Sequence, residues 1–189
     1  MINIAIFASH NGSGLDSIYN AVQNGDLNCN IALVISNNTN AVALQNASHY
    51  KLNHTLVNSK NSMNPDEKIY ELLKKHNCTH IFLSGYMKKL SPKLTQEFKV
   101  INSHPSLLPK FGGNGMYGNY VHEAVINAGE LLSGVTVHEV NEEYDSGKII
   151  LQKSLTLTKN ETAISLEKKI KELEKCVIVE GLAKVLKLS

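Results

Sequence analysis

Short apolar runs rich in β-branched residues alternate with longer stretches of helical periodicity along the chain. Such alternation is typical of βαβ units, in which successive strands lie parallel and helices cover both faces of the sheet. We therefore predict an α/β fold: a Rossmann-like, open, mostly parallel twisted sheet in a single domain, residues 1–189. The strands are expected at residues 2–8, 31–36, 55–57, 80–84, 100–102, 134–140 and 148–157, and the helices at residues 15–24, 40–51, 65–76, 120–127 and 162–186.

The glycine-rich turn after the first predicted strand is a candidate anion site. Gly12, Ser13 and Gly14 lie between that strand and the first helix. Glycine lets the backbone approach a ligand closely, and free amides at a helix N-terminus favour an anion such as phosphate. A tight turn without a ligand is the alternative interpretation.

The same turn does not fit a dinucleotide site. The G-x-G-x-x-G fingerprint requires glycine at position 17, where the chain has Ser17, and an acidic residue after the second strand, where it has Asn37 and Asn38. We therefore expect no NAD.

A second candidate site lies at the end of the fifth predicted strand, in the run Ile-Asn-Ser-His-Pro-Ser-Leu-Leu-Pro at residues 101–109. Asn102 and His104 are two residues apart, so they face the same side of an extended strand, and Pro105 ends regular pairing. Asp145 precedes Ser-Gly, a sharp turn that can aim a carboxylate inward, and a turn without a catalytic role is the alternative. A carboxylate adjacent to His104, whose ordinary pKa is about 6.5, can hold the ring protonated at neutral pH. Together the three side chains can polarise a carbonyl and move protons.

A Ser-His-Asp hydrolase is one alternative, because Ser106, His104 and Asp145 are all present. The chain has no G-x-S-x-G elbow, and Ser106 follows His104 within a proline-bounded turn, which is a poor geometry for a nucleophile and its base.

The run at residues 101–109 resembles the signature of the folate-dependent formyltransferases. Four further segments resemble the same family in the same order, so the resemblance spans nearly the whole chain. They are Ser-His-Asn-Gly-Ser-Gly at residues 9–14, Leu-Ser-Gly-Tyr-Met at 83–87, Gly-Val-Thr-Val-His at 134–138 and Glu-Tyr-Asp-Ser-Gly-Lys-Ile-Ile at 143–150. The resemblance implies a formyltransferase domain that uses 10-formyltetrahydrofolate as co-substrate and phosphoribosylglycinamide as acceptor, in purine biosynthesis.

The resemblance also assigns roles to candidate residues. It implies that Asn102, His104 and Asp145 are catalytic, with Asn102 and His104 stabilising the oxyanion. In this family the segment after the fourth strand and the segment before the catalytic aspartate line the pterin pocket of the folate and read the ring by backbone hydrogen bonds. Together with Asn102, these segments supply the expected co-substrate contacts, which are Met87, Lys88, Lys89, Leu90, Asn141, Glu142, Glu143 and Tyr144.

For the acceptor, the resemblance implies that the turn at Gly12, Ser13 and Gly14 holds the phosphate, although the family usually has Asn in place of Gly14. It also implies a basic residue for the phosphate and a glutamate for the ribose at Lys171 and Glu174, which lie three residues apart on the last helix. A surface ion pair between these two is the alternative.

Two expectations concern the surroundings of the site. The segment 112–118 contains four glycines, and we expect a mobile lid there, with a plain flexible loop as the alternative. The other histidines, among them His54, His76, His122 and His138, are expected to be structural or surface residues.

Other classes of protein remain as rivals. Methionyl-tRNA formyltransferases carry a basic C-terminal domain, whereas this chain stops at Ser189, and formyltetrahydrofolate hydrolases usually add an N-terminal regulatory domain, whereas the fold is expected to start at Ile2. Sugar-nucleotide formyltransferases usually continue past this length. A non-catalytic folate- or nucleotide-binding module would keep the pocket without needing Asn102, His104 and Asp145 together.

Composition narrows the range of partners. The formal net charge of +2 is too balanced to predict a nucleic-acid partner. Cys29, Cys78 and Cys176 are far apart and form no C-x-x-C, which excludes a zinc ribbon and predicts a reducing compartment. The first apolar run is too short for a signal peptide or a membrane span. We expect a cytoplasmic monomer or homodimer that binds small molecules and no metal, nucleic acid or membrane.

Overall fold

The sheet follows the predicted α/β organisation and turns antiparallel at one side. The computed structural model describes residues 1–187, so residues 188 and 189 of the predicted domain lie outside the described residues. In the described part, seven strands form one sheet in the order β3-β2-β1-β4-β5-β6-β7. Their bounds are Ile2–Phe7 (β1), Cys29–Ser36 (β2), His54–Leu56 (β3), His80–Leu83 (β4), Lys99–His104 (β5), Leu132–Glu139 (β6) and Ile149–Thr156 (β7).

Burial explains the different sequence patterns of the strands. Strands β1 to β5 pair in parallel, whereas β6 is antiparallel to β5 and β7 is antiparallel to β6. Parallel strands covered on both faces read as continuous apolar runs, and β2 is buried along nearly its whole length. The edge strand β7 instead alternates between exposed and partly buried positions.

Helices lie between the strands as predicted, with one addition. Their bounds are Ser13–Gln23 (α1), Val42–His49 (α2), Pro65–Lys75 (α3), Pro92–Glu97 (α4), Asn119–Asn127 (α5) and Ala163–Lys187 (α6). The sequence analysis missed α4, because its six residues are too few for a periodic signal. Its start nevertheless shows in the sequence, since Ser91 precedes Pro92, which takes a first-turn position of the helix.

Strand β5 contributes side chains to both faces of the sheet. Val100 packs in the apolar cluster that includes α3 and α4, whereas Ile101 packs in the cluster that includes α1, α5 and α6. Because side chains alternate along a strand, Asn102 and His104 share the face of Val100, and Ser103 shares the face of Ile101. The two faces of this strand end therefore serve different parts of the site.

Helix α6 approaches β6 closely at one point. Gly181 faces Val137, and a Cβ at position 181 would lie 2.8 Å from Val137 Cγ1, closer than real Cβ contacts allow. A glycine at this position therefore lets the helix seat against the strand. Val137 is the cross-strand partner of Ser103, so this contact sets α6 relative to the strands that carry the candidate site.

Candidate active site

Two adjoining cavities open at the carboxyl ends of β1, β4 and β5, where open α/β sheets bind their ligands. The larger has a volume of about 730 Å³ and the smaller about 90 Å³. The residues that line both cavities are Tyr86, Lys88, Asn102, Tyr144 and Asp145. The predicted Asn102 and Asp145 therefore stand where the two cavities meet.

The structure brings the three predicted catalytic side chains together. His104 Nδ1 lies 3.5 Å from Asp145 Oδ2. The other carboxylate oxygen, Oδ1, lies 3.5 Å from His138 Nε2, and that same nitrogen lies 3.2 Å from Asn102 Nδ2. The result is a connected group in which one carboxylate faces two imidazoles.

Main-chain carbonyls fix the hydrogen positions of both rings. His104 Nε2 lies 2.7 Å from the carbonyl oxygen of Phe111, and His138 Nδ1 lies 2.9 Å from that of Glu139. A carbonyl oxygen only accepts, so each of these nitrogens carries a hydrogen. In the neutral rings, His138 Nε2 accepts from the Asn102 amide, and His104 Nδ1 is unprotonated beside Asp145. One of the two amide hydrogens of Asn102 is then left for another acceptor.

The carboxylate beside His104 does not hold the ring protonated in the free protein. Burial lowers the pKa of His104 below its ordinary value, although the Asp145 charge and the bond to Phe111 raise it. Only 3% of His104 is exposed, so the free-energy cost of removing water from the charged ring exceeds the stabilisation that the carboxylate provides. Burial alone would raise the pKa of Asp145, but His138, His104 and the Gly113 amide together lower it. An ionised carboxylate therefore lies beside a neutral imidazole.

Asp145 is held in an uncommon backbone conformation. Its φ is +54°, a left-handed value that costs free energy in any residue with a side chain. The amide of Gly113 donates to Asp145 Oδ2 at 2.9 Å. Residues 113–118 of the predicted lid line the larger cavity, and their mobility stays a prediction.

His138 has contacts that the sequence did not indicate. We expected a structural or surface histidine, and the side chain is 1% exposed and lies beside both Asn102 and Asp145. The cause is the antiparallel pairing of β6 with β5, which sets His138 directly opposite Asn102. Cross-strand partners of this kind share a face of the sheet.

Most of the predicted co-substrate residues surround the smaller cavity. They are Lys88, Lys89, Leu90, Asn102, Asn141, Glu142, Glu143 and Tyr144. Met87 is the exception, because it lines only the larger cavity and its amide already donates to Ser9 Oγ at 2.7 Å. At the rim, Lys89 Nζ lies 5.6 Å from the centre of the Tyr144 ring, within cation–π range.

The glycine turn after β1 offers fewer amides than expected. Gly12 and Ser13 line the larger cavity, but Gly14 does not. The amide of Gly14 donates to Ser84 Oγ at 2.9 Å in a buried position. A Cβ at position 14 would lie 2.8 Å from both that oxygen and Phe82 Cε1. The Gly14 amide is therefore already bonded to the serine that follows β4, and phosphate binding by the turn stays a prediction.

Helix α6 contributes charged side chains to the larger cavity. Lys171 Nζ is paired with Glu167 Oε1 at 2.6 Å, so the alternative of a surface ion pair between Lys171 and Glu174 is wrong. Glu174 instead accepts from Ser103 Oγ at 2.5 Å. Burial raises the pKa of Glu174, while the Ser103 bond and the Lys171 charge oppose that rise.

His122 also lines the larger cavity and was not singled out as a site residue. It is 3% exposed, and no partner is described for its Nδ1. Burial lowers its pKa, with Lys171 acting the same way and Glu167 opposing. Its position on α5 offered no signal, because a lone histidine on an apolar helix face is usually a core residue.

Two other kinds of feature are absent from residues 1–187. No three His, Cys, Asp or Glu side chains are grouped there so that they could hold a metal ion. No helix in the same range is long and apolar enough to cross a membrane. The three cysteines are free, and burial raises the pKa of Cys29 and Cys78 to about 11.

The geometry defines a site for group transfer between two bound molecules. It combines a hydrogen-bond donor, an ionised carboxylate and a neutral imidazole at the junction of two cavities. Such a group can polarise a carbonyl and hold one additional proton.

Comparison with known proteins places the chain within a family. The formyl transferase family model matches residues 2–182. Phosphoribosylglycinamide formyltransferase of Haemophilus influenzae is 37% identical over 92% of this chain and 82% of its own length. The chloroplastic enzyme of that name from Arabidopsis thaliana is 33% identical over 94% of this chain, which spans 63% of that relative. A crystal structure of phosphoribosylglycinamide formyltransferase from Anaplasma phagocytophilum superposes with a TM-score of 0.89 at 31% identity, covering 98% of this chain and 87% of that one.

The chain therefore belongs to the formyl transferase family. The predicted α/β fold and the predicted assignment to formyltransferase enzymes are both confirmed.

Proposed function

We propose that this protein transfers the formyl group of 10-formyltetrahydrofolate to the amine of phosphoribosylglycinamide. The observation that carries the proposal is the meeting of the two cavities at Asn102 and Asp145. A pterin in the smaller cavity and a phosphoribosyl amine in the larger one would bring formyl carbon and amine together at that junction. The names of the curated relatives support this acceptor.

The first step is attack of the neutral amine on the formyl carbon. An N–C bond forms, and the carbonyl oxygen becomes an oxyanion. The unused amide hydrogen of Asn102 is available to that oxygen, while His138 keeps the amide oriented. Most of the enzyme's contribution at this stage is positioning, because the amine is nucleophilic by itself.

The second step moves a proton from the acceptor nitrogen to the departing nitrogen of the folate. The bond between formyl carbon and that nitrogen breaks, so the atoms balance without a further reactant. Asp145 is ionised and His104 is neutral in the free protein, so the pair has one vacant place for the proton in transit. Once protonated, the imidazolium would face the carboxylate at 3.5 Å and stabilise the oxyanion nearby.

The acceptor would lie along the larger cavity. Its phosphate would approach Gly12, Ser13 and Lys171, and its ribose would approach Glu174, all of which line that space. The helix N-terminus at Ser13 and the Lys171 ammonium both favour an anion.

The test measures tetrahydrofolate release by purified protein from 10-formyltetrahydrofolate, with phosphoribosylglycinamide, a nucleotide amino sugar, methionyl-tRNA or no acceptor. We expect release that depends on phosphoribosylglycinamide and a formylated product in equal amount. Release without any acceptor would instead identify a hydrolase, and release with another acceptor would reassign the substrate. Sedimentation of the same sample would test the predicted monomer or homodimer.

A further inference from the structure

Ser103 occupies the position between two of the proposed catalytic residues but faces the other way. Its neighbours Asn102 and His104 lie on one face of β5, and Ser103 lies on the face covered by α6. The backbone at Ser103 is fixed by its pairing with Val137 in β6. The Ser103 hydroxyl is therefore attached to a backbone segment that strand pairing holds in place at the centre of the site.

From this position the hydroxyl holds a glutamate of α6. Ser103 Oγ donates to Glu174 Oε1 at 2.5 Å, across 71 residues of sequence. Lys171, a cation three residues earlier on the same helix, is engaged by Glu167 instead. The carboxylate of Glu174 is therefore oriented by β5 and not by its own helix.

We propose that Ser103 is a positioning residue for the acceptor sugar: it fixes one oxygen of Glu174 so that the other faces the cavity to accept hydrogen bonds from ribose hydroxyls. This inference rests on the proposed function. Because Ser103 lies between Asn102 and His104, the strand end that would polarise the formyl group also orients Glu174, the residue that would bind the ribose. The distance between the reacting carbon and the ribose is then fixed by one strand.

The proposal predicts a specific division of kinetic effects. A glutamate without its donor can turn away from the cavity, so binding of the ribose weakens while the reacting groups stay in place. For Ser103→Ala we expect the KM for phosphoribosylglycinamide to rise about tenfold, the scale of a lost hydrogen bond to a charged group. The kcat and the KM for the folate should stay near wild type.

Two variants and one control make the test specific. Ser103→Thr keeps a hydroxyl on a strand residue and should restore the low KM. Ser133→Ala removes a buried hydroxyl with no described partner from the adjacent strand β6, and its kinetics should match wild type. In a Glu174→Ala background, Ser103→Ala should have no further effect, because the two side chains act as one unit.

A 2-deoxyribose analogue of the acceptor separates recognition from general damage. A site built to bond hydroxyls penalises ligands that lack them. Ser103→Ala should therefore lower the ratio of kcat/KM for the ribose acceptor to kcat/KM for the 2-deoxyribose analogue. A wild-type KM in Ser103→Ala together with a raised KM in Glu174→Ala would overturn the inference and leave the proposed function standing. A loss of kcat at unchanged KM would also overturn it. No turnover of phosphoribosylglycinamide by the wild type would overturn the proposed function itself.

Discussion

The side chains at the junction of the two cavities are held differently from those on α6. At the junction, His104 and His138 each donate to a main-chain carbonyl, and Asp145 accepts from a main-chain amide. On α6, Lys171 and Glu174 are held by other side chains, Glu167 and Ser103 respectively. The proposed chemistry is thus anchored to the backbone, whereas the proposed acceptor contacts on α6 are held by side chains that can be exchanged one at a time.

This difference shows which properties are fixed by the fold. A main-chain partner persists whatever side chain stands there, so the proton-holding group survives substitution around it. A side-chain partner is lost with a single substitution, so acceptor affinity and selectivity can change without loss of the fold. Substitutions at the junction should therefore act on turnover, and substitutions on α6 should act on acceptor binding.

The largest effect is expected at Asp145. Asp145→Asn keeps an oxygen to accept from the Gly113 amide but removes the negative charge that stabilises the protonated His104. We expect kcat to fall by about two orders of magnitude or more, the scale of lost acid–base and electrostatic help. The acceptor KM should change little, as steady-state kinetics with both substrates would measure.

The same experiment has an internal check. His104→Ala should cost a similar factor, and adding it to Asp145→Asn should cost little more, because the two groups share one proton. If the double variant loses the product of the two single losses, the residues act independently and the shared-proton scheme is wrong.

A smaller effect is expected at His138. His138→Phe leaves the amide of Asn102 without its acceptor, so we expect kcat to fall about tenfold, with the acceptor KM within about twofold of wild type. His49→Gln on the exposed face of α2 is the matched control, and its kcat and KM should match those of the wild type. Unchanged turnover in His138→Phe would restore the simpler view that His138 only fills the core.

A few-fold effect in the opposite direction is expected at Glu167. Glu167→Gln releases Lys171 from its ion pair, so the KM for the phosphorylated acceptor should fall about threefold, the scale of a partly exposed pair. Lys171→Ala should raise it, with a smaller rise at high salt. A raised KM in Glu167→Gln would mean that Glu167 orients Lys171 for the phosphate and does not compete with it.

The smallest effect concerns stability and pH. Burial lowers the pKa of His80, His104 and His122, so below about pH 6.5 the unfolded chain binds more protons than the folded one and the free energy of unfolding falls. Glu174 acts with the opposite sign, because its pKa is raised. Urea unfolding should give a lower free energy of unfolding at pH 5.5 than at pH 7. His122→Gln should make this difference between the two pH values smaller. Equal loss in the variant and the wild type would assign the effect to other groups.

The elements that the sequence predicted best are those whose signal is local. Alternating apolar runs located the strands, and the resemblance of residues 101–109 and 143–150 to segments of the family indicated the group of Asn102, His104 and Asp145. These signals require only neighbours in the chain. The features that the sequence did not indicate depend on distant residues.

Three features illustrate this limit. The position of His138 opposite Asn102 depends on β6 running antiparallel, which no local pattern indicates. The amide of Gly14 is taken by Ser84, 70 residues away. The neutral state of His104 depends on burial produced by the whole fold.

The close contact between Gly181 and Val137 sets the spacing between α6 and the sheet. Because Val137 pairs with Ser103, the same contact limits how closely α6 approaches the end of β5. A single added methyl group at position 181 would push the helix outward and carry Glu174 with it, widening the gap that an acceptor must span. Gly181 lines neither cavity, so we expect a substitution there to change the spacing between Glu174 and the end of β5 without altering a side chain of the site.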